Sequence, residues 1–82
     1  MHSMKVLGSG CANCRRLTEL TERALSELGY AEQVEKVTDY GEIAAHGVLA
    51  TPALMVDGEV VLIGRIPALE TLRESLAARL GA

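Results

Sequence analysis

The chain has no phenylalanine, no tryptophan and only two tyrosines among its 82 residues. Aromatic side chains therefore cannot dominate the interior, and leucine, valine, isoleucine and alanine must fill the core. Nearly half of the residues are apolar (49%), yet no apolar run has the length of a membrane span and no signal peptide is recognisable. We expect a single domain, because so short a chain cannot build a second hydrophobic core.

Basic residues are also few, with 8 lysines and arginines against 11 acidic residues and a net charge of −3. They are dispersed along the chain, whereas nucleic-acid binding requires a clustered basic face. We therefore expect neither nucleic acid nor membrane as a partner. A second methionine, Met4, begins the first apolar segment, so residues 1–3 have the character of an expression scar. The predicted domain spans residues 4–82.

Only two cysteines are present, Cys11 and Cys14. One local pair does not form the disulfide framework of a secreted scaffold, and this spacing is typical of a cytosolic redox motif, so we expect a cytoplasmic protein. The first turn of a helix has unpaired N–H groups and a positive dipole end that favour an anion. Cys11 is therefore the expected thiolate and Cys14 its disulfide partner. A bond across so few residues restrains little chain entropy, which favours a redox switch over a structural disulfide.

Hydrophobic periodicity and turn residues predict seven elements. They are a strand at 4–7, a helix from Ala12 to a stop at Gly29, a strand within 31–38, a short helix capped by Asp39 and ended at Gly47, two strands around Asp57 and Gly58, and a helix carrying Leu69 to Leu80 after Pro67. The predicted fold is α/β, in the order β-α-β-α-β-β-α, with one four-stranded mixed sheet flanked by helices. The cysteines then lie where a central strand ends, which is where α/β sheets place reaction sites.

The element order, the cysteine pair and a Thr-Pro dipeptide before the hairpin together resemble the thioredoxin fold over residues 4–80. More narrowly, segments 10–14, 47–54 and 57–58 resemble the small thioredoxin-like and glutaredoxin-like redox-active disulfide proteins of archaea and bacteria. The resemblance implies that Cys11 attacks a disulfide and that Cys14 resolves the mixed disulfide. It also implies a cis peptide bond before Pro52 and a Thr51 backbone that faces an extended substrate.

Gly10, Thr51 and Pro52 are accordingly the expected substrate-binding residues, since the glycine-rich loop 8–10 can approach closely whatever the cysteines meet. The resemblance implies a thiol–disulfide oxidoreductase that acts as a monomer on protein disulfides. A thiol or a flavoprotein reductase would be its electron donor, and it would need no cofactor and no metal. No histidine lies between the cysteines to favour a strong oxidant, so we expect a reductant.

The chain departs from the family patterns at several positions. Gly10 replaces the usual aromatic residue before the first cysteine, and Ala12 and Asn13 replace Gly-Pro between the pair. After the hairpin, residues 64–67 read Gly-Arg-Ile-Pro, without the Gly-Gly and acidic residue that help glutaredoxins hold glutathione. Neither the first nor the second predicted strand contains a counterpart of the acidic residue that assists proton transfer in thioredoxin.

Two other classes of function stay open at this point. The same cysteines could bind or transfer a soft metal such as copper or zinc, with His2 or His46 completing a zinc site. Metal-transfer domains, however, run β-α-β-β-α-β and carry a methionine where this chain has Ser9. A non-redox adaptor that only retains the fold is the third class. Arg15 and Arg16 either steer an acidic partner or are solvated surface charges, and Tyr40 either covers the site or lies in the core.

Overall fold

A computed structural model describes residues 2–10, 12–30, 33–48 and 50–81. Within these residues the elements follow the predicted order: β1 (Met4–Leu7), α1 (Ala12–Glu27), β2 (Val34–Val37), α2 (Tyr40–Ala45), β3 (Ala53–Val56), β4 (Glu59–Ile63) and α3 (Leu69–Leu80). The predicted second strand began at Ala31, but Ala31 and Glu32 lie outside the described residues, as do Met1 and Ala82 at the ends of the predicted segments 1–3 and 4–82. The helices that the structure describes include none with the length and apolarity of a membrane span.

The four strands form one mixed sheet in the order β2-β1-β3-β4. β1 is parallel to β2, with Met4 opposite Val34, because α1 provides the crossover between them. β3 is antiparallel to both β1 and β4, and Leu7 at the end of β1 lies opposite Ala53 at the start of β3. The α/β fold and the sheet predicted from the sequence are confirmed.

The helices cover both faces of this sheet. α1 and α3 pack on one face through a core of aliphatic side chains: Met4, Val6, Leu17, Ala24, Leu25, Val34, Leu54, Val56, Leu72, Leu76 and Leu80. α2 packs on the other face, where Ile43 joins Leu7, Val37, Val48, Ala53 and Met55. The strands alternate between the two cores because successive side chains of a strand point to opposite faces. Both central strands are therefore buried on two sides.

Local signals in the sequence set the element ends. The carboxylate of Asp39 caps α2 by accepting a hydrogen bond of 3.0 Å from the backbone N–H of Glu42. Between β3 and β4, Asp57 and Gly58 have φ angles of 51° and 84°. Positive φ at both central residues is the requirement of the tight hairpin turn that twists with its strands. The turn predicted from Asp-Gly is therefore present.

The hairpin turn is also bound to the N-terminal segment. The backbone N–H of Ser3 donates to Asp57 Oδ1 at 2.7 Å, and His2 Nδ1 lies 2.8 Å from Asp57 Oδ2. These bonds lower the pKa of Asp57 below its ordinary value of 3.8, with the Ser3 N–H as the larger cause and His2 as the next. His2 also packs edge-on against Tyr30, with ring centroids 5.7 Å apart. His2 and Ser3 thus make contacts with the fold, and the domain boundary at Met4 stays a prediction.

Candidate redox site

Two loops meet at one end of the sheet and form the candidate site. The first, residues 8–10, leaves β1 toward α1, and the second, residues 50–52, enters β3. Because β1 and β3 are antiparallel and Leu7 lies opposite Ala53, the end of one strand adjoins the start of the other. The sheet therefore brings together segments that are far apart in the sequence.

Cys14 lies in the first turn of α1 and is 4% exposed. Its sulfur takes part in a disulfide bond. The hydroxyl of Thr18 donates to the backbone carbonyl oxygen of Cys14 at 3.0 Å, which adds a side-chain bond to this turn. Cys11, the other predicted catalytic residue, lies outside the described residues.

Gly8 lies between Cys14 and Thr51. A Cβ atom at position 8 would overlap Cys14 Sγ, and it would stand 3.2 Å from Cys14 Cβ and 3.8 Å from Thr51 Cβ. The backbone N–H of Gly8 donates to the carbonyl oxygen of Val37 at 2.9 Å, which holds this loop against the end of β2. Only a residue without a side chain fits here. The sequence analysis treats Gly8 as part of a flexible loop and misses this role, although a glycine three residues before a cysteine is the available signal.

The peptide bond between Thr51 and Pro52 is cis. Pro52 is buried, whereas Thr51 is exposed. The carbonyl oxygen of Pro52 accepts a hydrogen bond of 2.7 Å from the N–H of Gly64, so the end of β4 fixes this loop. In the part of the chain that the structure describes, the backbone N–H and C=O of Thr51 have no hydrogen-bond partner. Thr51 itself lies directly before β3, and its Cβ is 3.8 Å from the position that a Gly8 Cβ would take.

Gly10 is the third predicted substrate-binding residue. It is exposed and has a φ of 86°, and no atom lies within 4 Å of the position that its Cβ would take. The left-handed backbone rather than crowding therefore favours glycine at this position. The structure thus brings both Cys14 and Thr51 close to Gly8, with Gly10 in the same loop as Gly8.

A small pocket of about 20 Å³ opens beside Cys14, with room for about one water molecule. It is lined by Val6, Gly8, Gly10, Cys14, Arg15, Thr18, Lys36 and Thr38. The sequence analysis did not select Lys36, because the face of β2 that meets α1 cannot be read from the pattern alone. Among these lining residues are two cations and no carboxylate.

The other residues that the sequence suggested for the site, Tyr40 and His46, are both exposed and lie at the two ends of α2. Tyr40 is 70% exposed at the start of α2, so the core alternative is wrong. His46 is exposed at the C-terminal end of α2, where its N–H donates to the carbonyl oxygen of Glu42. The described residues contain no group of three or more His, Cys, Asp and Glu side chains arranged to hold a metal ion. The observed element order is also not that of the metal-transfer domains.

Comparison with known proteins agrees with this architecture. The family model of the thioredoxin domain matches residues 2–77. A thioredoxin of Methanothermobacter thermautotrophicus is 35% identical over 77 residues, which cover 94% of this chain and 100% of the relative. A thioredoxin of Methanocaldococcus jannaschii is 36% identical over 77 residues, covering 94% of this chain and 88% of the relative. The fold, the order of its elements and these similarities place the chain in the thioredoxin family of thiol–disulfide oxidoreductases.

Proposed function

We propose that this protein reduces disulfide bonds of partner proteins, with Cys11 as nucleophile and Cys14 as resolving thiol. The burial of Cys14 in the first turn of α1, between Gly8 and Thr18, carries the proposal. A buried sulfur is shielded from an external disulfide, yet it can attack a mixed disulfide formed one helical turn away. Cys11 directly precedes α1 in the sequence, where the helix dipole favours a thiolate.

The exchange takes place in two steps. The Cys11 thiolate attacks one sulfur of the partner disulfide, and the S–S bond of the partner breaks as the mixed disulfide forms. The released partner thiolate takes up a proton. The thiol of Cys14 then loses its proton and attacks the Cys11 sulfur, which releases the second partner thiol. Two electrons pass to the partner, and the Cys11–Cys14 disulfide remains until an external thiol or a flavoprotein reductase reduces it.

The exposure of Thr51 and the lack of a hydrogen-bond partner for its backbone among the described residues support a place for the partner chain. An extended segment can pair with the free N–H and C=O of Thr51 as an added strand pairs with a sheet margin. Pro52 contributes no N–H and keeps this margin open, while Gly10 leaves space in the facing loop. Gly10, Thr51 and Pro52 are therefore the proposed substrate-binding residues of a cytoplasmic monomer.

Trapping the intermediate tests the assignment of the two cysteines. Cys14→Ser should accumulate a mixed disulfide with a model protein disulfide such as insulin, whereas Cys11→Ser should not, because it lacks the nucleophile. Mass spectrometry of the adduct after non-reducing electrophoresis identifies the linked cysteine. An adduct through Cys14 in the Cys11→Ser protein, of equal yield, would reverse the assignment.

Equilibration in a dithiothreitol and glutathione buffer series measures the reduction potential, which tests whether the protein acts as a reductant or as an oxidant. We expect a potential near the reducing end of the family range, about −270 mV, and a value near −120 mV would make the protein an oxidant.

Metal analysis of the purified protein tests the metal-binding alternative. Stoichiometric copper or zinc that resists a chelator, together with no insulin reduction, would favour the metal-binding alternative.

A further inference from the structure

A second surface feature begins between the two cysteines and runs along the exposed side of α1. This groove, called the α1 groove below, starts at Ala12 and Asn13 and ends at Arg23. Eleven residues of helix rise by about 16 Å, which an extended peptide of about five residues spans. Half-buried Leu20 provides an apolar contact within the groove. The α1 groove therefore has the length of a short peptide segment and begins in the first turn of α1, the turn that contains Cys14.

The charge of the α1 groove is opposite in sign to that of the whole chain. Three arginines and one glutamate line it, namely Arg15, Arg16, Arg23 and Glu19, in a protein with a net charge of −3. Within the described residues, Arg15 and Arg16 form no ion pair, and only Arg23 has a carboxylate partner, Glu27, at 3.4 Å. The guanidinium groups of Arg15 and Arg16 are solvent-exposed and can bind an external acid, and the long exposed pair of Arg23 with Glu27 can open to do the same.

The arginines of α3, unlike Arg15 and Arg16, form ion pairs within the protein. Arg73 pairs with Glu27 at 2.5 Å and Arg79 pairs with Glu59, so both are already bound to carboxylates of the protein itself. In contrast to these two arginines, Arg15 and Arg16, which lie directly after Cys14 in the sequence, have no carboxylate partner among the described residues. A planar guanidinium binds a carboxylate through two parallel hydrogen bonds, which gives orientation as well as attraction.

We propose that the α1 groove docks an acidic segment of the partner protein whose disulfide is reduced. This proposal rests on the proposed function. The occupant is a protein, because the groove begins at Ala12 and Asn13, the residues between the two cysteines in the sequence, and the proposed function gives these cysteines a protein disulfide as substrate. Its carboxylates should lie within about five residues of the partner cysteine, given the length of the groove. Arg16 and Arg23 lie seven positions apart and so on the same side of the helix, where they can hold such a segment along α1.

Two disulfide-bridged peptides test the proposal. They have the same sequence except that the residues flanking each cysteine are glutamates in one and lysines in the other. Reduced protein is mixed with each peptide, and the second-order rate constant is normalised to that for the small neutral hydroxyethyl disulfide. In each reaction the protein dithiol becomes a disulfide and the peptide disulfide becomes two thiols. At about 20 mM salt we expect the acidic peptide to react about tenfold faster, and at about 500 mM salt we expect nearly equal rates.

Substitutions test whether Arg16 in the α1 groove causes the preference for the acidic peptide. Arg16→Glu should lower the ratio of the acidic to the basic peptide severalfold, whereas Arg16→Lys should keep most of it. Arg79→Gln is the matched control, since it also changes the charge on an exposed helix but lies on α3 beside Glu59. It should leave the ratio unchanged.

Three results would overturn the proposal. A wild-type ratio near one at low salt, or the same ratio in Arg16→Glu, would remove the acidic docking site while reduction of hydroxyethyl disulfide left the proposed function intact. Inhibition by an oligonucleotide but not by polyglutamate of equal charge would assign the groove to nucleic acid. Failure to reduce any of the three disulfides would overturn the proposed function, and the docking role with it.

Discussion

Gly8 and Cys14 are packed so closely that no side chain fits between the backbone of one and the sulfur of the other. The contact joins the end of β1 to the first turn of α1, and Thr51 is also close, with its Cβ 3.8 Å from the position of the missing Gly8 Cβ. Position 8 therefore determines how closely the two loops of the site approach each other.

Gly8→Ala should destabilise the protein by about 1–3 kcal/mol, because the new methyl group must displace Cys14 or the loop. Urea unfolding of the oxidised protein measures this change, and insulin reduction should slow in parallel. Gly41→Ala is the control, since its new Cβ would meet only Asp39 Oδ2 at 3.0 Å, and the better helix propensity of alanine offsets a weakening of the cap that this oxygen makes on Glu42. It should change stability by less than about 1 kcal/mol. Equal effects of the two substitutions would show that the space at Gly8 is not restrictive.

Lys36→Met should lengthen the lifetime of a mixed disulfide severalfold. Lys36 lines the pocket beside Cys14, where a positive charge favours the thiolate that attacks in the second step. Stopped-flow measurement of the release of a chromophoric thiol follows this step directly. Lys36→Arg should preserve the wild-type rate, and Lys5→Met, on the opposite face of the sheet, is the charge-matched control. A slowing of the same size in Lys5→Met would assign the effect to net charge alone.

The stabilising contribution of the Asp57 carboxylate should be lost in acid, so the free energy of unfolding should fall at low pH. The Ser3 N–H and His2 hold the pKa of Asp57 below its ordinary value of 3.8, so the folded state prefers the carboxylate. This contribution is complete above the ordinary pKa and is lost as the pH falls through the lower pKa of the folded state. Asp57→Asn tolerates the same turn, and its free energy of unfolding should depend less steeply on pH as the pH falls below the ordinary Asp pKa of 3.8. Parallel curves for the two proteins would contradict this assignment.

Leu76→Ala should cost about 2–5 kcal/mol, because Leu76 is fully buried in the core between α3, α1 and the sheet, and its removal leaves a cavity. Thermal or urea unfolding measures the loss. Leu69→Ala, at the half-buried first position of α3, should cost less. The folded fraction of Leu76→Ala should still reduce insulin, since α3 contributes no residue to the redox site described above. Loss of activity from fully folded protein would show that α3 positions the site.

The element order could be predicted from the sequence because each element has a strong local signal. Helical periodicity predicted α1, and Asp39 predicted the N-cap that the structure shows at α2. The pair Asp57 and Gly58 predicted the hairpin turn, since few residues adopt two consecutive positive φ angles. These features depend on neighbours in the chain, which the sequence displays directly.

Long-range contacts could not be predicted in the same way. The overlap that excludes a side chain at Gly8 depends on the packing of α1 against the sheet, and the approach of Lys36 to Cys14 depends on which face of β2 meets that helix. The register irregularity between Leu54 and Met55 has no local marker either. His2 was set aside as part of a scar, yet it reaches Asp57 across the sheet end. In each case the partner is far away in the sequence, and only the folded chain identifies it.

The antiparallel pairing of β1 with β3 also has a consequence for biosynthesis. A ribosome releases Cys11 and Cys14 well before Thr51 and Pro52, which complete the other side of the site. Throughout that interval the nascent chain carries both thiols without β3, the strand that makes β1 central in the sheet. In the proposed function, where Thr51 directly before β3 holds the partner chain, a nascent chain that has released only the cysteines therefore lacks half of its substrate site.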